Sequence, residues 1–381
     1  MIQRTALIII FFALSVSFAA GQIKVRLYSS HSPNFVVFTV VDGEYTLEGA
    51  ENSAKVYRKN DNVVISIYNN KLAIKPRQSE GFVVDKINFK AKSDNSSFSL
   101  RINTQTDVAP LYNGDLLCYQ DFSTIVMINT CNIEDYIAGV IKAESGVNSH
   151  KEYAKTQAII TRTYLYKNSN RHIEDGYNFC DDTHCQAFHG ITNDHGINLA
   201  AKETKGLVIL DKDSALIISS FHSNCGGMTA ASKDVWVTDL PYLRSISDPY
   251  CVRSRNAEWE RIFTLNEWAA YLQKFGYKGA RNDAAVFTFY QSKRTINYKI
   301  GTFYIPFEKI RSDFRLKSSF FSIIADNNSI ILKGKGYGHG VGLCQEGAMV
   351  MATRGSNYKE IISFYYPGVL VTDLKNAKSV K

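Results

Sequence analysis

One carboxylate stands out because of where the surrounding pattern places it. Ile137, Val140 and Ile141 recur at helical spacing, and Gly146 follows them as a residue typical of a helix C-terminus. Glu144 would then lie in the last turn of this helix, on the side that faces protein. Burial and the negative end of the helix dipole both disfavour a charged carboxylate there, so we expect its pKa to be raised. A carboxyl group of this kind suits a general acid.

Two consecutive helices must position this carboxylate at their joint. Asn132 is a suitable N-cap for the first helix, and residues 149–152 have the pattern of a capping box for the second. The same position fits a second interpretation, in which Glu144 is a surface glutamate that pairs with Lys142 or Lys151. Position alone leaves both interpretations open.

A loop over residues 171–190 is dense in side chains that bind metals. Cys180 and Cys185 have four residues between them, with His184 beside the second cysteine. This spacing matches a structural zinc site, for which His172, His189 or a more distant residue would supply the fourth ligand. A small disulfide loop and a pair of free thiols fit the same sequence. A metal-dependent hydrolase is disfavoured, because the loop has no open-site pattern such as HExxH.

Two glycine-rich turns carry further polar candidates. Cys225 precedes the glycines at 226 and 227, and Cys251 is a plausible disulfide partner for it. His339 lies between glycines just before a helix predicted to begin near Cys344 or Gln345. Because helix N-termini offer backbone donors to polar ligands, a histidine at that point is a candidate for a site.

The elements around these candidates indicate an α+β fold. Short runs rich in β-branched and aromatic residues, separated by Gly, Asn, Asp and Ser, fill the first third of the chain. They predict a mostly antiparallel β region without a catalytic cluster. Cys118 and Cys131 lie on either side of a predicted turn at its end, where a cross-strand disulfide is one option. Another helix is predicted within TLNEWAAYLQKF.

Composition bounds the class of protein. The chain has 381 residues, 45% of them hydrophobic and 21% charged, which is typical of a globular protein with a sizeable core. Residues 1–20 have a basic start, an apolar run and small residues, which predict a cleavable secretory signal. No second transmembrane candidate follows. The net charge of +8 is spread along the chain without a basic block, so we expect no nucleic-acid partner and favour anionic envelope polymers.

Five segments in this order resemble the SpoIID/LytB family of bacterial cell-wall proteins, and their combination gives the resemblance its specificity. They span about residues 117–372 and read YIAGVIKAESG, AKTQAIITRTYLY, CDDTHCQAFHG, FHSNCGGMTAASKDVW and GYGHGVGLCQEGAMVMATRG. The resemblance implies a SpoIID-like catalytic domain over residues 116–375, preceded by a β-rich region over 21–115. It also implies a secreted or periplasmic protein of the cell envelope that acts on peptidoglycan.

In chemical terms, the resemblance implies a lytic transglycosylase with Glu144 as its only catalytic carboxylate. Such an enzyme cleaves the bond between N-acetylmuramic acid and N-acetylglucosamine, and the 6-hydroxyl of the muramic acid itself attacks the anomeric carbon. No water needs activation, so one carboxyl group can act first as acid and then as base, whereas ordinary glycosidases use two. The chemistry requires no cofactor.

The resemblance also directs attention to the remaining site residues. Polar side chains in the matching motifs are candidates for the glycan-binding groove, and they are Gln157, Arg162, Tyr164, His222, Ser223, His339 and Gln345. Arg162 could instead pair with Glu134 or Asp135, and Tyr164 could be a core residue. Members with Cys and His in this loop strengthen the zinc hypothesis, for which the predicted ligand set is His172, Cys180, His184 and Cys185.

A non-enzymatic function remains the alternative. Some relatives of this kind act mainly as wall-binding modifiers that enhance an N-acetylmuramoyl-L-alanine amidase, so an amidase is a candidate partner. The presence of Glu144 in the matching motif favours catalysis.

Overall fold

The protein divides into two compact units that interleave along the chain. The computed structural model describes residues 21–49, 55–77, 79–103, 108–236, 238–279, 284–326 and 328–378. The first unit contains the described residues up to Tyr136 together with Arg171–Ile191, and the second contains Ile137–Asn170 and the residues from Thr192 onward. The predicted signal peptide at 1–20 lies outside the described residues, and the domain boundary at 115/116 stays a prediction.

The first unit consists of two sheets. One has the strand order β13-β1-β12-β11-β8-β3-β4 and the other β10-β9-β2-β5-β6-β7. Their bounds are β1 Gln22–Leu27, β2 Phe35–Asp42, β3 Glu44–Glu48, β4 Val56–Arg58, β5 Asn62–Tyr68, β6 Lys71–Pro76, β7 Phe82–Val84, β8 Lys86–Ala91, β9 Ser97–Ile102, β10 Leu111–Asn113, β11 Asp115–Asp121, β12 Thr124–Asn132 and β13 Phe179–Cys180.

Aromatic side chains from both sheets form the core of this unit. Phe38 of β2 stacks on Phe89 of β8 with ring centroids 4.0 Å apart, and it also stacks on Phe98 of β9 at 5.0 Å. All three rings are fully buried. The alternating apolar runs therefore give the antiparallel strands that the sequence predicts, apart from a short parallel pairing of β1 with β13.

The strand register excludes one of the disulfides considered from the sequence. β11 pairs with β12 so that Cys118 lies opposite Met127, while Cys131 lies opposite Ile23 of β1. Cys131 is four residues along β12 from the position opposite Cys118, a distance of about 13 Å at the usual rise of a strand. The two cysteines therefore cannot form a cross-strand bond.

Helices and shorter sheets make up the second unit. Its sheets pair β14 with β22, β15 with β21, and β17 with β18, and order a fourth as β16-β20-β19. The strands are β14 Leu207–Leu210, β15 Phe221–His222, β16 Glu258–Thr264, β17 Asn297–Ile300, β18 Phe303–Pro306, β19 Phe321–Asp326, β20 Ser329–Lys335, β21 Leu343–Cys344 and β22 Leu370–Asp373.

The helices of the chain belong mainly to this second unit. Their bounds are α1 Ile133–Ser145, α2 Lys151–Lys167, α3 His195–Glu203, α4 Ser232–Val235, α5 Leu265–Lys274, α6 Phe307–Phe314, α7 Gln345–Thr353 and α8 Tyr358–Tyr365. α5 is the helix predicted from TLNEWAAYLQKF, and α7 begins where the sequence predicts. Together with the mainly antiparallel sheets, they confirm the α+β class.

Two buried clusters support the second unit. One surrounds α2, α7 and α8 and includes Tyr153, Ile160 and Leu343. The other joins α5 and α6 to the three-stranded sheet around the fully buried Trp268. Among the described residues, none of the helices is long and apolar enough to cross a membrane.

Candidate active site

Glu144 lies in the last turn of α1, as the sequence predicts. Asn132 caps the helix through a 2.8 Å bond that its side-chain oxygen accepts from the backbone N–H of Glu134. The predicted apolar face is buried. Gly146 ends the helix with a φ of +75°, and its N–H donates to the carbonyl of Lys142 at 2.9 Å. Glu144 is half-buried at this end, where a proton donor can be shielded from water and still meet a substrate.

The start of α2 differs in detail from the prediction. His150 rather than Ser149 is the N-cap, and its ring nitrogen accepts from the N–H of Glu152 at 3.3 Å. The carboxylate of Glu152 instead accepts from the backbone N–H of Tyr358 in α8 at 2.9 Å. The predicted capping box at 149–152 is therefore wrong, because a tertiary contact engages the glutamate.

One of the two proposed partners of a surface Glu144 is engaged elsewhere. The ammonium of Lys151 lies 3.2 Å from a carboxylate oxygen of Glu203 in α3. Lys155 joins the same carboxylate at 2.7 Å. Lys151 is thus part of an ion-pair group on Glu203, and this weakens the interpretation of Glu144 as its surface partner.

A buried tyrosine completes the surroundings of Glu144. The hydroxyl of Tyr153 lies 2.9 Å from the Ser145 hydroxyl and accepts a 2.9 Å bond from the side-chain amide of Gln157. Burial raises the pKa of Tyr153, the bonds from Ser145 and Gln157 lower it, and the negative charge of Glu144 raises it further. The hydroxyl is therefore fixed within electrostatic reach of the carboxylate.

Two histidines from separate segments meet in this unit. β15 and β21 pair in parallel with His222 opposite Cys344, and the ring centroids of His222 and His339 are 5.6 Å apart. His339 bonds the carbonyl of Phe221 at 2.9 Å and accepts from the N–H of Val341 at 3.1 Å. Burial lowers the pKa of His339 to about 4. Both of its ring nitrogens are thus occupied when the ring is neutral.

His222 is more deeply buried and presents one nitrogen without a partner. Its Nδ1 lies 3.2 Å from the carbonyl of Val341, so Nδ1 carries the proton and Nε2 is an acceptor. Nε2 has no hydrogen-bond partner among the described residues. Burial lowers the pKa of His222 well below its usual value, and the neighbouring His339 adds to this effect.

Ser223 and Gln345 follow directly on the paired strands. The carbonyl of Ser223 accepts from the N–H of Glu346 at 3.0 Å, which connects the turn after β15 to the start of α7. Gln345 is 7% exposed, and its side-chain nitrogen has no hydrogen-bond partner among the described residues. The pairing of β15 with β21 brings the segments that carry His222, Ser223, His339 and Gln345 together.

The three candidate site residues on α2 lie in different surroundings. Gln157 is 1% exposed and contacts Tyr153, so it supports the hydroxyl beside Glu144. Arg162 is fully buried, and its guanidinium donates to the carbonyl oxygens of Ala201 at 3.1 Å and Leu207 at 3.3 Å. Tyr164 is half-buried. The contacts of Arg162 thus join α2 to α3 and β14.

The Cys/His loop over residues 171–190 brings its four predicted ligands together in the first unit. One ligand atom from each of His172, Cys180, His184 and Cys185 lies within 4.8 Å of the others. The sulfur of Cys185 is 3.5 Å from Nε2 of His172, and that of Cys180 is 3.6 Å from Nδ1 of His184. The other nitrogen of His172 lies 3.2 Å from Asp175, a carboxylate–histidine arrangement common behind metal ligands. These donors fit a closed zinc site.

Comparison with known proteins decides the family. Residues 121–210 match the family model SpoIID, described as stage II sporulation protein. The chain is 31% identical over 271 residues to an uncharacterised protein of Brachyspira hyodysenteriae, an alignment that covers 69% of this chain and 72% of that protein. The chain belongs to the SpoIID family.

Two further relatives carry informative names. A stage II sporulation protein D of Bacillus amyloliquefaciens is 29% identical over 263 residues, which cover 63% of this chain and 74% of the relative. An amidase enhancer of Bacillus subtilis strain 168 is 26% identical over 289 residues, 62% of this chain but only 40% of the relative. The resemblance inferred from the motifs is thereby confirmed at the level of the family.

The SpoIID match contains Glu144 and the Cys/His loop, whereas the paired histidines lie beyond it. The sequence analysis did not identify Tyr153 as a site residue. A tyrosine four residues before a glutamine on one helical face is a pair that can share a hydrogen bond, and this spacing was the available signal. Two cavities of about 800 and 870 Å³ are lined by other residues, among them Tyr57 and Phe82 in the first and Tyr277 and Tyr304 in the second.

Proposed function

We propose that this SpoIID family member acts on the bacterial cell wall and that it is a peptidoglycan lytic transglycosylase. The observation that carries the proposal is the position of Glu144, half-buried at the end of α1 and within electrostatic reach of the fixed Tyr153 hydroxyl. A half-buried carboxyl group is partly shielded from water and can still reach a polymer, as a general acid for this reaction must. A secreted or periplasmic location follows from such a substrate.

In the proposed reaction, Glu144 acts twice. As an acid it protonates the glycosidic oxygen while the bond from that oxygen to the anomeric carbon of muramic acid breaks. The 6-hydroxyl of the same sugar then bonds to this carbon, and Glu144, now a carboxylate, takes its proton. The product is a 1,6-anhydro ring, and the enzyme ends in its starting protonation state. The tethered nucleophile leaves the protein to hold the sugar ring in a reactive geometry.

We assign the remaining candidates to two roles. His222, Ser223, His339 and Gln345 are proposed to form the part of the protein that meets the glycan, because the pairing of β15 with β21 groups them. The unpartnered side-chain nitrogens of His222 and Gln345 are buried, so these two side chains must be uncovered before they can bond sugar hydroxyls or acetamido groups. Tyr164 stays a candidate for the same groove. Gln157 and Arg162 are proposed to hold the protein beneath the groove in place without contacting the glycan, since both side chains are buried and bonded to other protein groups.

The Cys/His loop is proposed to bind a structural zinc ion through His172, Cys180, His184 and Cys185. When bound, the ion would cross-link residues 172–185 within the first unit and would take no part in the chemistry at Glu144. Two thiols and two imidazoles occupy a tetrahedral zinc completely. This closed set is unlike the open sites of zinc hydrolases, which keep a position for water.

The deciding experiment is mass spectrometry of glycan fragments released from purified peptidoglycan, both bare and peptide-bearing. The wild type is expected to release anhydro-ended fragments, and Glu144→Gln is expected to lower the rate by about 100-fold or more, as general acid–base catalysis predicts. Glu134→Gln makes the same chemical change in the first turn of the same helix and serves as the control with unchanged activity. Reducing-end products would instead indicate hydrolysis and contradict the transglycosylase.

A modifier of an amidase is the second candidate, because the amidase enhancer of Bacillus subtilis is a relative. In this case neither the wild type nor Glu144→Gln would release fragments, while both would bind the wall and both would increase the rate of an added amidase equally. The same preparations therefore separate the two functions.

A further inference from the structure

A second group of potential metal ligands lies buried in the second unit. Cys225, Asp248, Cys251 and Cys344 are all fully buried, and one ligand atom from each lies within 4.8 Å of the others. The sulfur of Cys225 is 3.3 Å from that of Cys251 and 3.2 Å from Oδ2 of Asp248. Four soft or acidic side chains thus meet at one point without exposure to water.

A disulfide explains only half of this group. The sequence suggests a bond between Cys225 and Cys251, whose sulfurs the fold does bring close. Such a bond would give no role to the thiol of Cys344 or to the carboxyl group of Asp248, although both are buried at the same point, where a carboxylate is costly unless it is paired. A divalent cation accounts for all four side chains at once.

We propose that Cys225, Asp248, Cys251 and Cys344 form a second, closed metal site that binds Zn²⁺. Zinc accepts thiolate and carboxylate ligands in tetrahedral geometry, and zinc–sulfur bonds of about 2.3 Å place neighbouring sulfurs about 3.8 Å apart. The observed separations require only small side-chain movements to reach this arrangement. Binding releases three thiol protons to solvent, so the occupied site carries three thiolates, one carboxylate and Zn²⁺, a net charge of −2.

Backbone donors around the sulfurs offset this negative charge. The sulfur of Cys344 accepts from the N–H of Cys225 at 3.3 Å and from the N–H of Gly347 at 3.4 Å. The sulfur of Cys251 accepts from the N–H of Gly227 at 3.3 Å. Gly227 has a φ of +92°, so the paired glycines after Cys225 allow the turn that aims this N–H at the sulfur.

Hydrogen bonds also hold the carboxylate of Asp248 in place. Oδ2 of Asp248 accepts from the hydroxyl of Tyr365 at 2.9 Å, and Oδ1 accepts from the N–H of Tyr250 at 2.9 Å. The guanidinium of Arg294 donates to the carbonyl of Cys225 at 2.9 Å and brings a positive charge close to the site. Fixed second-layer bonds of this kind are typical of metal ligands.

The site would connect the segments that carry the proposed glycan contacts. His222 lies three residues before Cys225, and Gln345 directly follows Cys344, which caps α7. An ion held by the cluster would therefore fix the turn after β15 against the start of α7. The metal site itself does not depend on the proposed transglycosylase activity, since its occupancy is measured directly.

The test measures zinc in the full chain by inductively coupled plasma mass spectrometry after purification under reducing conditions. Cys180→Ser with Cys185→Ser removes the loop site, and we expect this double variant to retain one zinc ion per chain. Adding Cys344→Ser or Asp248→Asn to it is expected to remove that ion. Adding Cys118→Ala, which changes a buried cysteine outside both clusters, is the matched control and should leave zinc content unchanged.

A second measurement covers the case in which the variants fail to fold. Wild type should contain two zinc ions per chain, one more than the Cys/His loop can hold, and peptide mapping after unfolding should recover Cys225, Cys251 and Cys344 as free thiols. A disulfide between Cys225 and Cys251 in peptide mapping of the native protein would overturn the proposal. If the double variant Cys180→Ser with Cys185→Ser folds but contains no zinc, the proposal is also overturned.

Discussion

At the residue scale, the surroundings of Glu144 depend on one hydroxyl. Tyr153 is fully buried, and its oxygen connects Ser145, the neighbour of Glu144, to Gln157 one turn further along α2. A buried amide that loses its acceptor costs more than the bond contributes, because the amide is then left without water or partner. The hydroxyl is thus a structural requirement as well as a neighbour of the proposed acid.

Tyr153→Phe is therefore expected to lower both stability and turnover. Loss of the acceptor for Gln157 should decrease the free energy of unfolding by about 1–3 kcal/mol in urea denaturation. Release of anhydro-ended fragments should slow, because Ser145 and the end of α1 lose their anchor, while wall binding persists.

The double variant Tyr153→Phe with Gln157→Leu provides the control for this interpretation. It removes both polar partners together, so it should recover part of the lost stability but not the lost turnover. Equal stability of the single variant and the wild type would contradict the assigned hydrogen bond.

At the element scale, the joint between α1 and α2 determines where Glu144 lies. α1 ends because Gly146 adopts a left-handed conformation that a residue with Cβ enters at a cost. No atom lies within 4 Å of the position where a Cβ on Gly146 would be, so the cost of substitution is one of backbone conformation alone.

Substitution of Gly146 tests this termination directly. Gly146→Ala should decrease the free energy of unfolding by about 1 kcal/mol, since alanine resists the left-handed region. Gly146→Asn is the matched control, because asparagine tolerates this conformation, and its loss should be clearly smaller. Both are measured by urea denaturation, and equal losses for the two variants would show that backbone conformation is not the cause.

At the scale of the whole molecule, buried histidines make stability depend on pH. Burial lowers the pKa of His222 well below its usual value and that of His339 to about 4, so both are neutral in the folded protein at neutral pH. In the unfolded chain they take up protons near pH 6.5. The unfolded state thus binds more protons between pH 6.5 and 4, and stability is lost as the pH falls through this range.

We expect His339→Gln to lessen this dependence. Over the full range His339 accounts for at most about 3.4 kcal/mol, which is the free energy of a pKa shift of about 2.5. Urea denaturation at several pH values between 7 and 4 should show a shallower decline for the variant than for wild type. His195→Gln, on the exposed face of α3, is the control, and parallel curves for wild type and His339→Gln would contradict the assignment.

Much of the architecture follows from local patterns. Alternating apolar runs gave the strands of the first unit, and helical spacing with Asn132 and Gly146 placed α1 and Glu144 correctly. The meeting of the four Cys and His side chains in the loop was predictable because they are close in sequence, so that chain connectivity alone keeps them near one another. The predicted capping box failed because Glu152 bonds to Tyr358, more than 200 residues away in the chain.

Local sequence therefore determined the position of Glu144, the Cys/His loop and the class of fold. Only the tertiary structure decided which distant side chains meet: Cys344 joins Cys225, Asp248 and Cys251, and the register of β11 with β12 keeps Cys118 apart from Cys131. It also decided that Arg162 is buried against backbone carbonyls. The physical reason is that contacts between distant segments depend on how whole elements pack, whereas helix ends and nearby ligands depend on a few adjacent residues.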